Sequence, residues 1–188
     1  GSCVGAAAAW RVASRHPERV SGLVLVHPAT WSSVGAGPVG VLYRALSTRP
    51  RARAFVRILL ERAWALRPVR RAALRWMASA SLPARGRRAV EEAVGRADTF
   101  RVLEAILVAL PSFRVLDQHE PSAGFPPTLL VWGRANPIVP VVALPDLVAG
   151  LSPVAILELE GAGHLVPLER AAPLAAAISR LALYEGAS

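Results

Sequence analysis

The sequence begins with the pentapeptide "GSCVG" (residues 1–5), and this stretch carries most of what the sequence predicts. Glycines stand two residues before and two residues after Cys3, whereas the same pattern centred on Ser2 would need a glycine where Val4 stands. A run rich in helix formers, "AAAAWRVASR" (residues 6–15), follows directly. Glycines around a nucleophilic side chain, just before a helix, are typical of a sharp strand-to-helix turn in which larger side chains would collide with the backbone.

The start of a helix would assist a nucleophile at Cys3. The helix dipole favours a thiolate, and the free amide groups of the first turn, beginning with Val4, can bind an oxyanion. The other interpretation of a lone cysteine is an unreactive small hydrophobic residue. Taken by itself, the pentapeptide leaves both interpretations open.

The rest of the chain predicts strands that alternate with helices, on either side of a helical middle. "SGLVLVHPA" (residues 21–29) is apolar without alternation, as in a parallel strand buried on both faces. Residues 31–37 are predicted to form a loop, and residues 38–113 a set of short helices broken near Pro50, Pro68, Pro83 and Pro111. The later predictions are strands at 128–132 and 154–160, a helix near 141–151 and a closing helix at about 169–184. This order predicts an α/β fold with a parallel sheet and crossover helices.

The predicted organisation has two α/β parts around one helical insertion. Residues 1–30 and 121–188 would form the core, and residues 31–120 the insertion. The most apolar part of the insertion, "FRVLEAILVALPSF" (residues 100–113), suits either a buried helix or one wall of a hydrophobic pocket.

Three blocks of sequence together resemble the α/β-hydrolase family, in the family's order and at its spacing. They are "GSCVGAAAAWRVASRHPERVSGLVLVHPA" (residues 1–29), "PTLLVWGRANPIVP" (127–140) and "LEGAGHLVPLE" (159–169). The resemblance covers most of the chain outside the helical middle. It implies a partial α/β-hydrolase fold in which the middle is an inserted helical cap that covers the active site and shapes substrate choice.

The resemblance also implies a set of site residues. It places the nucleophile on Cys3 with the elbow glycines Gly1 and Gly5, an oxyanion-binding amide on Val4, the acid of the triad on Asn136 and the base on His164. Cysteine and asparagine stand where the family usually has serine and aspartate. The two changes are chemically compatible, because a thiolate–imidazolium pair can form before substrate arrives and Asn136 can then orient the ring by a neutral hydrogen bond. The alternative is a catalytically decayed relative that acts as a binding or interaction protein.

Other polar residues are weaker candidates. His27 ends the strand "LVLVH" (residues 23–27) and is expected to line a pocket or support the site, and Asp117 could replace Asn136 as the acid. His16 and His119 lie in loop-like sequence and are predicted to be at the surface. No His, Cys, Asp or Glu cluster has the spacing of metal ligands, and no phosphate-binding glycine loop is present. We therefore expect neither a metal nor another cofactor.

Charge and hydropathy bear on whether the protein binds nucleic acid, a membrane or a small substrate. The net charge of +9 comes from residues 44–101, which hold 15 arginines against four acids. This block indicates a solvated helical surface, and no motif supports a nucleic-acid-binding protein. No apolar run approaches the roughly 20 residues of a membrane-spanning helix. The expected partner is a small hydrophobic ester, and the single cysteine is compatible with a reducing, cytoplasmic location.

The first residue is Gly1 rather than methionine, and the elbow of the family follows a strand that would precede it. We therefore expect these 188 residues to be a fragment of a longer enzyme, poorly soluble and inactive alone. The expected activity of the longer enzyme is hydrolysis of carboxylic ester or thioester bonds through an acyl-enzyme.

Overall fold

Three parallel strands form the centre of the protein. The computed structural model describes residues 1–79, 82–96, 99–122 and 124–185, with side chains described as far as residue 183. Within them the strands are β1 (Leu23–Val26), β2 (Thr128–Gly133) and β3 (Ala155–Leu159), in the order β1-β2-β3. All six residues of β2 are buried, as expected for a central strand covered on both faces. The predicted parallel sheet is confirmed.

The first residues of the chain pair with the free edge of β1. The Gly1 carbonyl accepts the Val26 N–H at 3.0 Å, and the Cys3 N–H donates to the Val26 carbonyl at 2.8 Å. Ser2 and Val26 form a parallel bridge, and helix α1 (Val4–Arg15) begins immediately afterwards. The buried side chains of α1 recur every three or four residues and pack into the core next to the sheet: Ala6, Ala7, Trp10 and Ala13.

The chain between β1 and β2 is helical, and we call residues 31–117 the helical segment. Its helices are α2 (Trp31–Gly35), α3 (Pro38–Ser47), α4 (Pro50–Trp64), α5 (Arg67–Met77), α6 (Ala84–Val94), α7 (Thr99–Ala109) and α8 (Arg114–Asp117), with a 3₁₀ turn at Leu110–Phe113. Prolines separate these helices, as predicted. Pro50 and Pro68 lie in the first turns of α4 and α5, where a backbone N–H would have no partner within the helix and its absence costs no hydrogen bond.

One prediction for the helical segment is wrong. Residues 31–37 do not form a loop throughout, because α2 occupies Trp31–Gly35. The Thr30 hydroxyl accepts the Ser33 N–H at 3.2 Å, and the Ser33 hydroxyl accepts the Thr30 N–H at 2.8 Å. This reciprocal cap stabilises a helix that is too short for apolar periodicity to reveal.

The helical segment also contains an apolar cavity of about 280 Å³ between α3, α4 and α7. Helix α7 has no buried residue and contributes Phe100, Leu103, Leu107 and Val108 to the lining. Of the two alternatives for this stretch, the wall of a hydrophobic pocket is therefore the one observed. The division into a core and a cap at residues 30 and 120 stays a prediction.

The remaining helices cover the two faces of the sheet. Between β2 and β3 lie a 3₁₀ turn (Val141–Ala143) and α9 (Leu144–Leu151), and α10 (Val166–Glu169) and α11 (Ala171–Glu185) follow β3. Buried residues of α1 and α9 form one core cluster with Leu25, Leu130 and Trp132, and buried residues of α11 form another with Val131. This layered arrangement leaves the loops at the carboxyl ends of the strands free to form a site.

Candidate active site

Cys3 occupies a strained backbone position at the start of α1. Its φ of 52° and ψ of −117° lie in a region that non-glycine residues rarely adopt. A Cβ atom added to Gly1 would lie 2.2 Å from the Gly5 carbonyl oxygen, so only glycine fits at position 1. A Cβ atom added to Gly5 would meet no atom within 4 Å. The steric reason given for the elbow glycines therefore holds for Gly1 and is wrong for Gly5.

The Cys3 thiol is partly buried and rests in its neutral form. Burial raises the pKa of the thiol, and a hydrogen bond from the Val4 N–H opposes this rise but does not overcome it. The sequence suggested that the helix start would produce a thiolate. The Val4 amide does act in that direction, yet the cost of burying a charge is larger.

Asn136 fixes the tautomer of His164. The Asn136 Oδ1 atom accepts backbone N–H groups from Ile138 at 2.9 Å and Val139 at 3.2 Å, and it lies 3.3 Å from His164 Nδ1. Because an amide oxygen only accepts hydrogen bonds, Nδ1 must carry the proton in this contact. The Nε2 atom of His164 is then left with a lone pair, as a general base requires.

The imidazole of His164 is neutral as well. Burial lowers its pKa to about 4, although the negative charge of Glu169 opposes this shift. The side-chain hydrogen bond found for the ring is the one to Asn136, and among the described residues none joins the ring to the Cys3 thiol. The expected thiolate–imidazolium pair is therefore not the resting state of this site.

His27 lies against the ring of His164. Their ring centroids are 5.8 Å apart and their planes differ by 18°, and His27 Nε2 accepts the Gly133 N–H at 2.6 Å. Burial, followed by repulsion from His164, lowers the pKa of His27 to about 3. Since His27 has no exposed surface, it supports the His164 ring rather than lining an open pocket.

The chain topology brings these residues to one end of the sheet. The Cys3 N–H is hydrogen-bonded to the carbonyl of Val26 at the end of β1, and His27 follows Val26 in the chain. Asn136 and His164 lie in the loops that follow β2 and β3. Parallel strands end at the same edge, so the four side chains share it.

The other titratable candidates are placed elsewhere. The Asp117 carboxylate accepts the Ser32 N–H at 3.1 Å and the Ser32 hydroxyl at 2.6 Å, so it caps α2 and does not contact His164. His16 is exposed, as predicted. His119, predicted at the surface, is only partly exposed, because it packs edge-on against Trp10 with ring centroids 5.7 Å apart.

Sequence reasoning missed Glu169, a buried carboxylate in α10 that accepts N–H groups from both neighbours of His164. A signal was available, since Glu169 is a single acid after the apolar run Leu165–Leu168. In the part of the chain that the structure describes, no group of three or more His, Cys, Asp and Glu side chains could hold a metal ion. Within the same residues, no helix combines the length and apolar character needed to cross a bilayer.

Comparisons with known proteins agree on the fold. The family model described as "alpha/beta hydrolase fold" matches residues 1–171. Similar solved structures include a membrane phospholipase A described as a bacterial virulence factor (TM-score 0.71, 19% identity, 100% of this chain and 57% of that one). Another is a putative lipase from Acinetobacter baumannii AYE (TM-score 0.67, 18% identity, 100% of this chain and 60% of that one).

A third similar structure is 2-hydroxy-6-oxo-6-phenylhexa-2,4-dienoate hydrolase from Rhodococcus sp. strain RHA1, with a TM-score of 0.64 and 17% identity over 96% of this chain and 62% of that one. The chain thus spans 57% to 62% of the length of these three proteins. At such identities the likeness shows the fold. The sequence has no significant match among curated proteins.

The buried histidines predict a pH dependence of stability. Their pKa values in the folded chain, about 4 for His164 and about 3 for His27, lie below the ordinary value of 6.5. Between each folded pKa and 6.5, the unfolded chain therefore binds more protons than the folded chain. The free energy of unfolding should therefore fall as the pH drops from 6.5 to 5, and each histidine should add a slope approaching about 1.4 kcal/mol per pH unit. Urea unfolding across this range measures the slope.

The matched variants for this measurement are His164→Asn, which should reduce the slope by up to about 1.4 kcal/mol per pH unit, and Gln118→Asn, an uncharged change at an exposed position, which should leave it unchanged. An equal slope in the native chain and in His164→Asn would contradict the burial of a neutral imidazole.

Proposed function

This chain belongs to the α/β-hydrolase fold family, and from that premise we propose that the whole protein hydrolyses carboxylic ester or thioester bonds of small hydrophobic substrates through an acyl-enzyme on Cys3. The observation that carries the proposal is the contact between His164 Nδ1 and Asn136 Oδ1, because it leaves His164 Nε2 able to accept a proton. The strained turn supports it further, since it places the Val4 N–H beside the Cys3 sulfur, close to where the carbonyl oxygen of a bound ester would become an oxyanion.

The proposed reaction has two steps. In the first, the Cys3 sulfur bonds to the acyl carbon while its proton passes to His164 Nε2, and the Val4 N–H stabilises the oxyanion. His164 then protonates the departing alcohol or thiol as the bond to the acyl carbon breaks, which leaves a thioester on Cys3. In the second step, His164 takes a proton from water, the hydroxide attacks the thioester, and the carboxylic acid leaves as the proton returns to sulfur.

Because Cys3 and His164 are both neutral at rest, the thiol proton would move to the imidazole during the reaction and not before it. With the thiol pKa raised and the imidazole pKa lowered, ionising the pair in advance is unfavourable. The thiol would lose its proton only as substrate carbon approaches, when hydrogen bonds at an active site shorten. His164 therefore acts as a general base in this proposal, and Asn136 holds its ring without supplying a negative charge.

The apolar cavity of the helical segment supports a hydrophobic substrate. Its lining side chains are mostly apolar, with Arg53, Arg57 and Glu104 as the charged exceptions. Burial of hydrocarbon in such a cavity is favourable by about 25 cal/mol per Å². The names of the similar structures, which include a phospholipase A, a putative lipase and a thermophilic esterase, also favour an ester substrate.

A specific observation favours a second candidate, a decayed relative that keeps the pocket and binds a ligand. The thiol is hydrogen-bonded by the Val4 N–H and not by the imidazole, and its pKa is raised. A nucleophile that has lost its base would show both features. The two candidates differ in whether a covalent acyl group forms on Cys3.

Mass spectrometry of the whole protein after mixing with p-nitrophenyl butyrate tests the proposal. We expect one butyryl group per chain on Cys3 and none in Cys3→Ala, with Ser2→Ala as the matched control that acylates normally. His164→Asn should slow acylation by at least about a hundredfold, because general base catalysis contributes that much. Acylation of Cys3 that is absent, or equally fast without His164, would favour the decayed relative.

Asn136→Asp should increase the rate of acylation. The carboxylate would accept the same two backbone N–H groups, replace the buried and unpaired Asn136 Nδ2, and stabilise the imidazolium that forms on His164. We expect a gain in kcat/KM of at least about tenfold, since the reverse change is costly in serine hydrolases. The exposed change Gln118→Glu controls for added charge, and an unchanged or lower rate in Asn136→Asp would contradict the expected stabilisation of an imidazolium on His164.

A further inference from the structure

Glu169 is a buried carboxylate whose hydrogen bonds join three parts of the protein. The residue ends α10 and is 7% exposed. Its Oε1 atom accepts the Leu165 N–H at 2.9 Å, and its Oε2 atom accepts the Gly163 N–H at 2.8 Å. These two amides flank His164, so the carboxylate holds the loop of the proposed base from both sides.

The same carboxylate reaches the helical segment. Oε2 also accepts the Ser79 N–H at 3.0 Å, and the Ser79 hydroxyl makes a further hydrogen bond to Glu169. Ser79 lies two residues beyond the end of α5. One oxygen atom is therefore shared between the His164 loop and the segment that covers it.

A second contact joins the same two parts without Glu169. The His164 N–H donates to the Met77 carbonyl at 2.8 Å. A Cβ atom on Gly163 would lie 2.6 Å from the Met77 carbonyl oxygen and 2.8 Å from the Ser79 nitrogen. Only glycine allows this approach, so the two backbones are packed directly against each other.

We propose that Glu169 is a positioning residue that makes the placement of His164 depend on the docking of the helical segment. When Met77–Ser79 is in place, the carboxylate is fully engaged and the His164 loop is fixed. When that stretch moves away, Oε2 loses one of its donors and the His164 amide loses its acceptor. The contribution to catalysis rests on the proposed function, whereas the coupling itself is a property of the structure.

The charge of Glu169 supports this role. Burial raises the pKa of the carboxyl group, but the hydrogen bonds from Ser79, Gly163 and Leu165 outweigh burial and bring the pKa below its ordinary value. The group is therefore ionised at neutral pH, where hydrogen bonds to a charged acceptor are about twice as strong as neutral ones. Removing one donor from such a group leaves a buried charge less well satisfied, so the contacts should be lost together.

Amide hydrogen exchange at neutral pH measures this coupling. Glu169→Gln should accelerate exchange of the Ser79, Gly163 and Leu165 amides by about tenfold or more, because the amide side chain cannot accept all three N–H groups. The decisive reporter is the His164 amide, which is bonded to Met77 and not to Glu169, and which we also expect to exchange faster. The control is Glu160→Gln, which removes a carboxylate that is 87% exposed and should change none of these amides.

Coupling must also act in the reverse direction. Ser79→Ala removes only the hydroxyl on the helical segment, yet we expect faster exchange at Gly163 and Leu165, because both amides are bonded to the same carboxylate. Ser79→Ala is also the milder variant if Glu169→Gln fails to fold. Exchange changes confined to the direct partners of the altered side chain, with the His164 amide unaffected, would overturn the proposal.

Amide exchange and acylation of Cys3 together distinguish a failure of the positioning role from a failure of the hydrolase proposal. If the amides respond together and Cys3 is acylated, Glu169→Gln should lower kcat more than it changes KM, since a displaced base slows chemistry more than binding. If the amides respond together and no acyl group forms, the coupling stands and the hydrolase proposal fails. If acylation is normal and the amides respond independently, the positioning role is wrong.

Discussion

The hydrogen bond from the Cys3 amide to the Val26 carbonyl holds the site together, because it joins the strained turn to the sheet. It places α1 against the core and brings Cys3 next to His27, the residue that follows Val26. The cost of the unfavourable φ at Cys3 is on the order of 1–3 kcal/mol, which the surrounding pairing and the buried face of α1 must offset. Every other part of the proposed chemistry is positioned relative to this turn, through the ring of His27 and the loops that end β2 and β3.

Burial dominates the electrostatics of this site. It raises the pKa of Cys3 and lowers those of His27 and His164, so three groups that could be charged are neutral at rest. The charge that persists is on Glu169, where several hydrogen bonds outweigh the cost of desolvation. Asn136 fits this pattern, since it orients His164 through an amide oxygen and adds no charge. A site of this kind would separate charge only during the reaction.

Local sequence signals predicted the parts of the fold that depend on local physics. The need for glycine at Gly1, the apolar run at β2 and the prolines at the starts of helices in the helical segment each act within a few residues, and the structure agrees with them. The short helix α2 was missed because its stabilisation comes from the pair Thr30 and Ser33 rather than from periodicity.

The pKa shifts and the contacts of Glu169 with the helical segment could not be predicted, because they depend on burial and on contacts between residues about 90 positions apart, such as Glu169 and Ser79. The resemblance implied that Asn136 and His164 follow strands, and they lie in the loops after β2 and β3, but only the three-dimensional structure shows which atom of Asn136 faces the ring.

The ionisation of Cys3 tests most directly whether the site is neutral at rest, and it can be followed as thiolate absorbance near 240 nm against pH, with the Cys3→Ser variant subtracted. A thiol kept neutral by burial predicts no thiolate signal at pH 7 and a midpoint above the ordinary value of about 8.5. A thiolate signal at pH 7 that disappears in His164→Asn would contradict it, because it would show an ion pair already formed in the resting protein.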